Sequence, residues 1–374
     1  MNTDFATGLA KSTEPVHGGN VEQIARTYGL RPEEIIDFSA NINPTGPPSR
    51  VMTRLAELSS NTELISRYPE ADCHSLREAL AAYVGLSSEC IIVANGSAAL
   101  MDVVLRALKP KRCLLPVPAF SEYRRALTAS GCNYAAFVLD PNQNFTLDVD
   151  ALEMAWRQNN CDLCIISNPH NPSGSVISSQ SLLGLSRRAA ADKVTVLVDE
   201  AFIEYAPDAS ISHAIAALPN VVVLRSITKF FALAGMRVGY ALANRKLAAI
   251  LWQQVPSWPV SSLASIAAIE ALSDMEYAER TRVSCETERK WLFEMLLQLG
   301  FRVFPSAANF LLMKLPVEAP SVSFLNERLI IEHHILIRDC DSYEGLERGM
   351  YMRVAVKDDT ANRKLIHALK EVLA

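Results

Sequence analysis

No single-sign charge excess marks this 374-residue chain: 36 lysines and arginines face 41 acids, a formal net charge of -5, so no nucleic-acid-binding surface is expected. No apolar run is long enough to span a bilayer, and Met1 to Pro15 has none suited to a signal peptide. A cytoplasmic, soluble protein is expected. The eight cysteines are scattered, with no disulfide framework or metal-ligand spacing. Cys161 and Cys164 form a C-x-x-C, but they run into Leu163-Cys164-Ile165-Ile166, which reads as a buried strand rather than a redox or metal site. Neither an internal repeat nor a low-complexity tract is visible. What remains is 49% hydrophobic and 21% charged residues, enough for a large core and two lobes.

Apolar runs alternate with segments of helical period, the pattern of a largely parallel sheet covered on both faces, hence an α/β fold. The expected strands are Ile91-Val93, Leu114-Val117, Cys164-Ser167, Val194-Val198, Val221-Leu224 and Val238-Leu242. Leu76, Leu80 and Tyr83 form a helical stripe that stops at Gly85, and a second helix, Ala98-Leu108, opens after Gly96-Ser97. From about residue 270 the pattern changes to a long charged helix, Glu279 to Leu299. Short strands follow around Phe310-Met313, Ile335-Arg338 and Met352-Val356. The expected division is a large domain over 51–270 and a smaller α+β domain over 271–374, which the segment 1–50 joins.

Ligands of such sheets bind outside the carboxyl ends of the strands, and the chemistry-bearing residues fall there. Gly96-Ser97-Ala98 joins a strand to a helix start, whose N–H groups and dipole suit a phosphate. Asn168-Pro169-His170-Asn171-Pro172-Ser173-Gly174 packs two Asn-Pro steps after a strand and can aim Asn171 at a ligand oxygen. Asp199 ends an apolar strand, where a carboxylate needs a cationic partner. Ser226-Ile227-Thr228-Lys229, followed by Gly235-Met236-Arg237, sets one lysine beside phosphate-binding groups. A lone lysine is usually a solvated surface charge. With Asp199 and Arg237, however, Lys229 meets the needs of pyridoxal phosphate: an amine for the aldehyde, an anion for the ring nitrogen, and a cation with donors for the phosphate. Phe120 could stack on the ring. His170 is read as a loop residue, and His333-His334 as a strand edge rather than a metal site.

The order Gly96-Ser97, Asn171-Pro172, Asp199-x-Ala201, Ser226-x-x-Lys229, Arg237 and Arg353 resembles the fold-type I pyridoxal phosphate enzymes of the class I/II aminotransferase group, over nearly the whole chain. That resemblance implies that Lys229 binds the cofactor aldehyde, Asp199 pairs with the ring nitrogen and Asn171 touches the ring hydroxyl. It gives the cofactor phosphate to Gly96, Ser97, Ala98, Ser226 and Arg237, ring stacking to Phe120, and the substrate carboxylate to Arg353, with Asn171 also on the substrate. Phe202 stands where many relatives carry tyrosine, which removes one hydrogen bond to the ring hydroxyl. Within the group, His17-Gly18-Gly19-Asn20 and Ser39-Ala40-Asn41-Ile42-Asn43-Pro44 are similar to the threonine-phosphate decarboxylases of cobalamin synthesis. Arg67-Tyr68-Pro69 is shared with the histidinol-phosphate aminotransferases, the second likeness, and Ile335-Leu336-Ile337-Arg338 followed by Tyr343 also bears on the choice. The decarboxylase likeness implies a phosphorylated amino acid as substrate, its phosphate gathered by His17, Asn41 and Arg338. It also implies a homodimer whose Tyr68 reaches the neighbour's cofactor phosphate. A cofactor-binding regulator would carry a DNA-binding module first; His17 already belongs to the enzyme-like pattern, so an enzyme is expected.

Overall fold

The computed structural model describes residues 18–373. Strand β1 (Ile36–Asp37) precedes a seven-stranded sheet of β2 (Ile91–Ala94), β3 (Arg112–Val117), β4 (Asn133–Val138), β5 (Leu163–Ser167), β6 (Thr195–Asp199), β7 (Val221–Ser226) and β8 (Gly239–Ala243). Their order is β2-β8-β7-β6-β5-β3-β4, and β8 alone runs antiparallel to its neighbours. Both faces are buried, which explains the unbroken apolar runs. Ile91, Val93, Val196, Val198, Val221 and Val223 pack into one core, while Ile92, Ala94, Leu197, Val222 and Leu224 pack into the other.

The expected strands of this sheet are all present, with ends shifted by at most two residues. The edge strand β4 was not expected. Tyr134 to Val138 do form an apolar run, but the strand's residues are exposed or half-buried rather than covered on both faces. Helix His74–Val84 ends at left-handed Gly85 (φ 71°), as the stripe predicts. The long charged helix spans Met275–Gln298, starting earlier than expected because the Asp274 carboxylate accepts from the Tyr277 N–H at 2.9 Å and caps it.

The remaining strands are β9 (Arg302–Val303), β10 (Phe310–Lys314), β11 (Ile335–Leu336), β12 (Arg338–Asp339) and β13 (Tyr351–Ala355). They form the antiparallel order β12-β13-β10-β9, with β1 pairing β11 in parallel. The single strand expected over Ile335-Arg338 is thus two, in different sheets. Between them the Ile337 N–H turns away to the Asn326 side chain at 3.1 Å. A separate core of Leu311, Met313, Val354, Leu365 and Leu369 lies under these strands. Helix Met275–Gln298 serves both lobes: Tyr277 and Ala278 sit in a core of the large sheet, and Leu292 and Leu296 in the smaller one. The amino-terminal segment ties in similarly. Phe38 donates to Leu336 and accepts from Ala355, and the Asn43 amide donates to Phe230, Tyr277 and Thr281.

Candidate active site

Strand direction assembles the site. The carboxyl ends of β2, β5, β6 and β7 lie on one edge of the sheet, and reversed β8 brings its amino end to the same edge. Gly239 is therefore the register partner of both Ala94 and Ser226, and Ser167 that of Asp199. A Cβ on Gly239 would lie 2.4 Å from the Ser97 nitrogen, so only glycine lets the Gly96-Ser97 turn come this close. Gly96 itself is left-handed (φ 85°), and a Cβ there would come 2.8 Å from Arg237 Nη2. The Arg237 guanidinium thus lies over the opening turn of helix Ser97–Leu108.

A cavity of about 410 Å³ opens at this edge. Among its lining residues are Gly96, Ser97, Ala98, Phe120, Asn171, Asp199, Ser226, Lys229 and Arg237 from the large sheet, and Asn41, Arg338 and Arg353 from the two chain ends. Every expected site residue on the described chain lines it except Tyr68. Tyr68 is 77% exposed, stacks on Trp258 at 4.4 Å, and lines a separate groove with Ile65 and Leu263. His17 lies outside the described residues. Gly18 lines the cavity and approaches Ser39 so closely that a Cβ would lie 2.2 Å from its carbonyl oxygen.

Charge is arranged in two zones. On the large-sheet side, burial lowers the pKa of Lys229 to about 8, with Arg353 and Arg237 pushing the same way and Asp199 opposing. Burial raises that of Asp199; hydrogen bonds from Tyr123 (2.6 Å) and the Ala201 N–H (3.0 Å) restrain the rise. On the other side Arg338 and Arg353 are directly opposed across β12 and β13, both buried. Arg353 donates to the Asn171 side-chain oxygen at 2.6 Å, the Tyr343 hydroxyl at 3.4 Å and the Ser39 carbonyl at 3.0 Å. Its Nε has no partner, nor has the buried Asn41 Oδ1. Arg338 donates to Ser342 Oγ at 3.1 Å and lies 5.4 Å from the centre of the Tyr343 ring. No ion pair with a described carboxylate satisfies either guanidinium.

The sequence reading missed Tyr123, Ser167 and Thr228 as site residues. Thr228 hydrogen-bonds Ser226 at 2.7 Å beside the cavity, and the Ser167 hydroxyl accepts from the Asn171 N–H at 3.2 Å. Only proximity to a motif could have marked the three: Thr228 lies beside Lys229, Ser167 beside Asn168, and Tyr123 three residues after Phe120. His170 lies in a loop, as read, and its ring bonds the Ser173 hydroxyl at 2.7 Å and the Pro118 carbonyl at 2.9 Å. Among the described residues no group of three or more His, Cys, Asp or Glu could hold a metal, and no helix is long and apolar enough to cross a membrane.

An α/β sheet with a lysine, a buried carboxylate and a phosphate-suited turn at one edge defines the class. The chain belongs to the aminotransferase class I and II family, whose model matches residues 33–369. It is 34% identical over 361 residues to the threonine-phosphate decarboxylase of Salmonella typhimurium, covering 96% of each chain. It is 30% identical over 363 residues to the histidinol-phosphate aminotransferase of Methanococcus aeolicus, covering 96% of this chain and 95% of that one. Among solved structures, the L-threonine-O-3-phosphate decarboxylase of Porphyromonas gingivalis superposes with a TM-score of 0.78 at 25% identity, over 90% of this chain and 98% of that one.

Proposed function

We propose that this chain is a pyridoxal phosphate-dependent decarboxylase that converts O-phospho-L-threonine to (R)-1-amino-2-propanol phosphate for the nucleotide loop of cobalamin. The observation that carries the reading is the opposed pair Arg338 and Arg353, two buried guanidiniums without an ion-pair partner among the described carboxylates. Burying two like charges side by side is costly unless a ligand supplies the counter-charge. O-phosphothreonine brings two anionic groups in one molecule, one for each guanidinium.

The residues present fit the cofactor. Helix Ser97–Leu108 points its amino terminus into the cavity, and Ser97, Ala98, Ser226 and Arg237 would take the phosphate, with Gly96 and Gly239 keeping the cradle clear. Asp199 would pair with the ring nitrogen, Phe120 would stack on the ring and Asn171 would meet the ring hydroxyl. The Asn171 oxygen already accepts from Arg353, so its amide N–H₂ is the group left to face the cofactor. When bound, pyridoxal phosphate supplies an electron sink for whichever Cα bond stands perpendicular to its ring.

Geometry from the chain then selects the reaction. Arg353 would hold the substrate carboxylate, while Arg338 and Asn41, with His17, would hold the phosphate. Anchoring both ends fixes the torsion about Cα. With the Cα–carboxylate bond perpendicular, carbon dioxide leaves and its bonding electron pair stays behind; a proton then replaces it at Cα. Lys229 can deliver that proton, because a pKa of about 8 leaves both its neutral and its charged form accessible near neutral pH.

The proposal includes a cytoplasmic homodimer with shared sites. Tyr68 does not line its own cavity; it is exposed, stacked on Trp258, in a groove with Ile65 and Leu263, where it could reach a partner's cofactor phosphate. The test incubates purified protein with O-phospho-L-threonine or O-phosphoserine and no keto acid, and measures carbon dioxide. Release from phosphothreonine is the expected result. Phosphoserine lacks one methyl group, worth about 1–3 kcal/mol in a pocket, and should be the poorer substrate. No release from either, with amino transfer from histidinol phosphate to 2-oxoglutarate, would replace the decarboxylase with the aminotransferase reading.

A further inference from the structure

Tyr123 lies in helix Ser121–Ser130, one turn after Phe120, and its phenol donates to the acid at the centre of the cofactor site. The hydroxyl donates to Asp199 Oδ2 at 2.6 Å, and the Ala201 N–H donates to Oδ1 at 3.0 Å. Each carboxylate oxygen therefore holds one protein hydrogen bond. Rotation of the carboxylate would break both, so its remaining lone pairs are fixed in direction. The Tyr123 ring is itself held, 3% exposed and packed edge-on against Phe120 with centroids 5.7 Å apart. One side chain thus braces both the acid under the ring nitrogen and the aromatic residue that would stack on the ring.

The environment makes this donor matter. Asp199 is buried beside Glu200, both of which favour the neutral acid; Tyr123, the Ala201 N–H and Lys229 oppose them. A hydrogen bond to a buried charged group is stronger than one between neutral groups, and its loss is felt in full because no water replaces it. Tyrosine suits the position. Its proton stays on the phenol, since burial and Asp199 both raise its pKa, so it donates throughout the working pH range.

We propose that Tyr123 is a positioning residue that keeps Asp199 charged and oriented, and thereby keeps the proton of the cofactor pair on the ring nitrogen. This rests on the assignment of pyridoxal phosphate to the cavity. Without the phenol, the proton affinity of Asp199 rises and the proton shared with the ring nitrogen moves toward the carboxylate. The buried ion pair then collapses to a neutral pair, which holds the cofactor less tightly.

The test compares wild type, Tyr123→Phe, Asp199→Asn and the double variant, each loaded with pyridoxal phosphate labelled with ¹⁵N in the ring. Tyr123→Phe keeps the packing on Phe120. It should move the ring-nitrogen signal toward the unprotonated position and weaken cofactor binding about tenfold. In the Asp199→Asn background the same substitution should change binding less than about twofold, because the residue acts through Asp199. Should Tyr123→Phe fold poorly, 3,5-difluorotyrosine at position 123 keeps the shape. As a stronger donor it should move the nitrogen signal in the opposite direction. An unmoved signal in either substituted protein, or an equal binding loss with and without Asp199, would overturn the role of Tyr123 alone. A wild-type chain that captures no pyridoxal phosphate overturns the cofactor assignment and this inference with it.

Discussion

Replacing Arg338 by alanine should separate activity from stability. Arg338 is 4% exposed, makes one side-chain hydrogen bond to Ser342 Oγ, and faces Arg353 directly across the strand pair. Its removal leaves no acid stranded, since no described carboxylate pairs with it. Opposed like charges are destabilising, so the substitution relieves that repulsion while it loses the contacts with Ser342 and the Tyr343 ring. Ligand-free Arg338→Ala should therefore unfold within about 1 kcal/mol of wild type in urea. Catalysis should suffer far more. Truncating one side of a desolvated charge pair costs about 2–5 kcal/mol, which at 1.36 kcal/mol per decade is a loss of about 30- to 5,000-fold in kcat/KM with O-phosphothreonine. Unphosphorylated threonine should be a poor substrate for the wild type and should hardly change. Arg338→Lys should fall between, retaining the charge without the planar fork. Carbon dioxide release measured with both substrates decides the matter. Equal losses on threonine and phosphothreonine would refute a phosphate contact, and a stability loss of several kcal/mol would refute the view that the guanidinium awaits a ligand.

Three further outcomes are expected. Borohydride reduction of the yellow holoprotein should leave a mass-shifted adduct on Lys229 and none in Lys229→Ala; an adduct on another lysine would overturn the assignment. Burial lowers His170 to about 4 from an ordinary 6.5, so the unfolded chain takes up the proton first. Its contribution, about 3 kcal/mol, is complete above pH 6.5 and lost as pH falls toward 4, and His170→Gln should remove that part of the slope in pH-dependent urea unfolding. Mixed dimers of Lys229→Ala and Tyr68→Ala should recover activity above either parent, since one hybrid site would hold both intact residues; verified heterodimers without recovery would argue against shared sites.

Much of the large sheet was legible because strands buried on both faces, such as Val221–Leu224, announce themselves as apolar runs. Strand β4 was missed although Tyr134 to Val138 are apolar; as an edge strand with half-exposed Tyr134 and Phe137 it is not buried on both faces like the others. The break at Ile337 was invisible for another reason: Ile335 to Ile337 are uniformly apolar, and the division into two sheets depends on a distant acceptor, Asn326. The site shows the same contrast. Lys229, Asp199 and Arg237 sit in local motifs whose spacing is set by the cofactor they suit. Tyr123 is brought to Asp199 across 76 residues of chain by helix packing alone, and the opposition of Arg338 to Arg353 follows from a strand register that spacing does not encode.

Helix Met275–Gln298 contributes side chains to two separate cores along 24 residues, about 36 Å, with neither proline nor glycine to break it. It behaves as a shared axle. Any swing of the carboxyl-terminal sheet that carries Arg338 and Arg353 toward the cavity must tilt or bend this rod as a whole, which favours small rotations over wide opening. The same continuity couples melting: loosening Leu292 and Leu296 disturbs Tyr277 and Ala278 at the other end, so heating should produce one calorimetric transition rather than two.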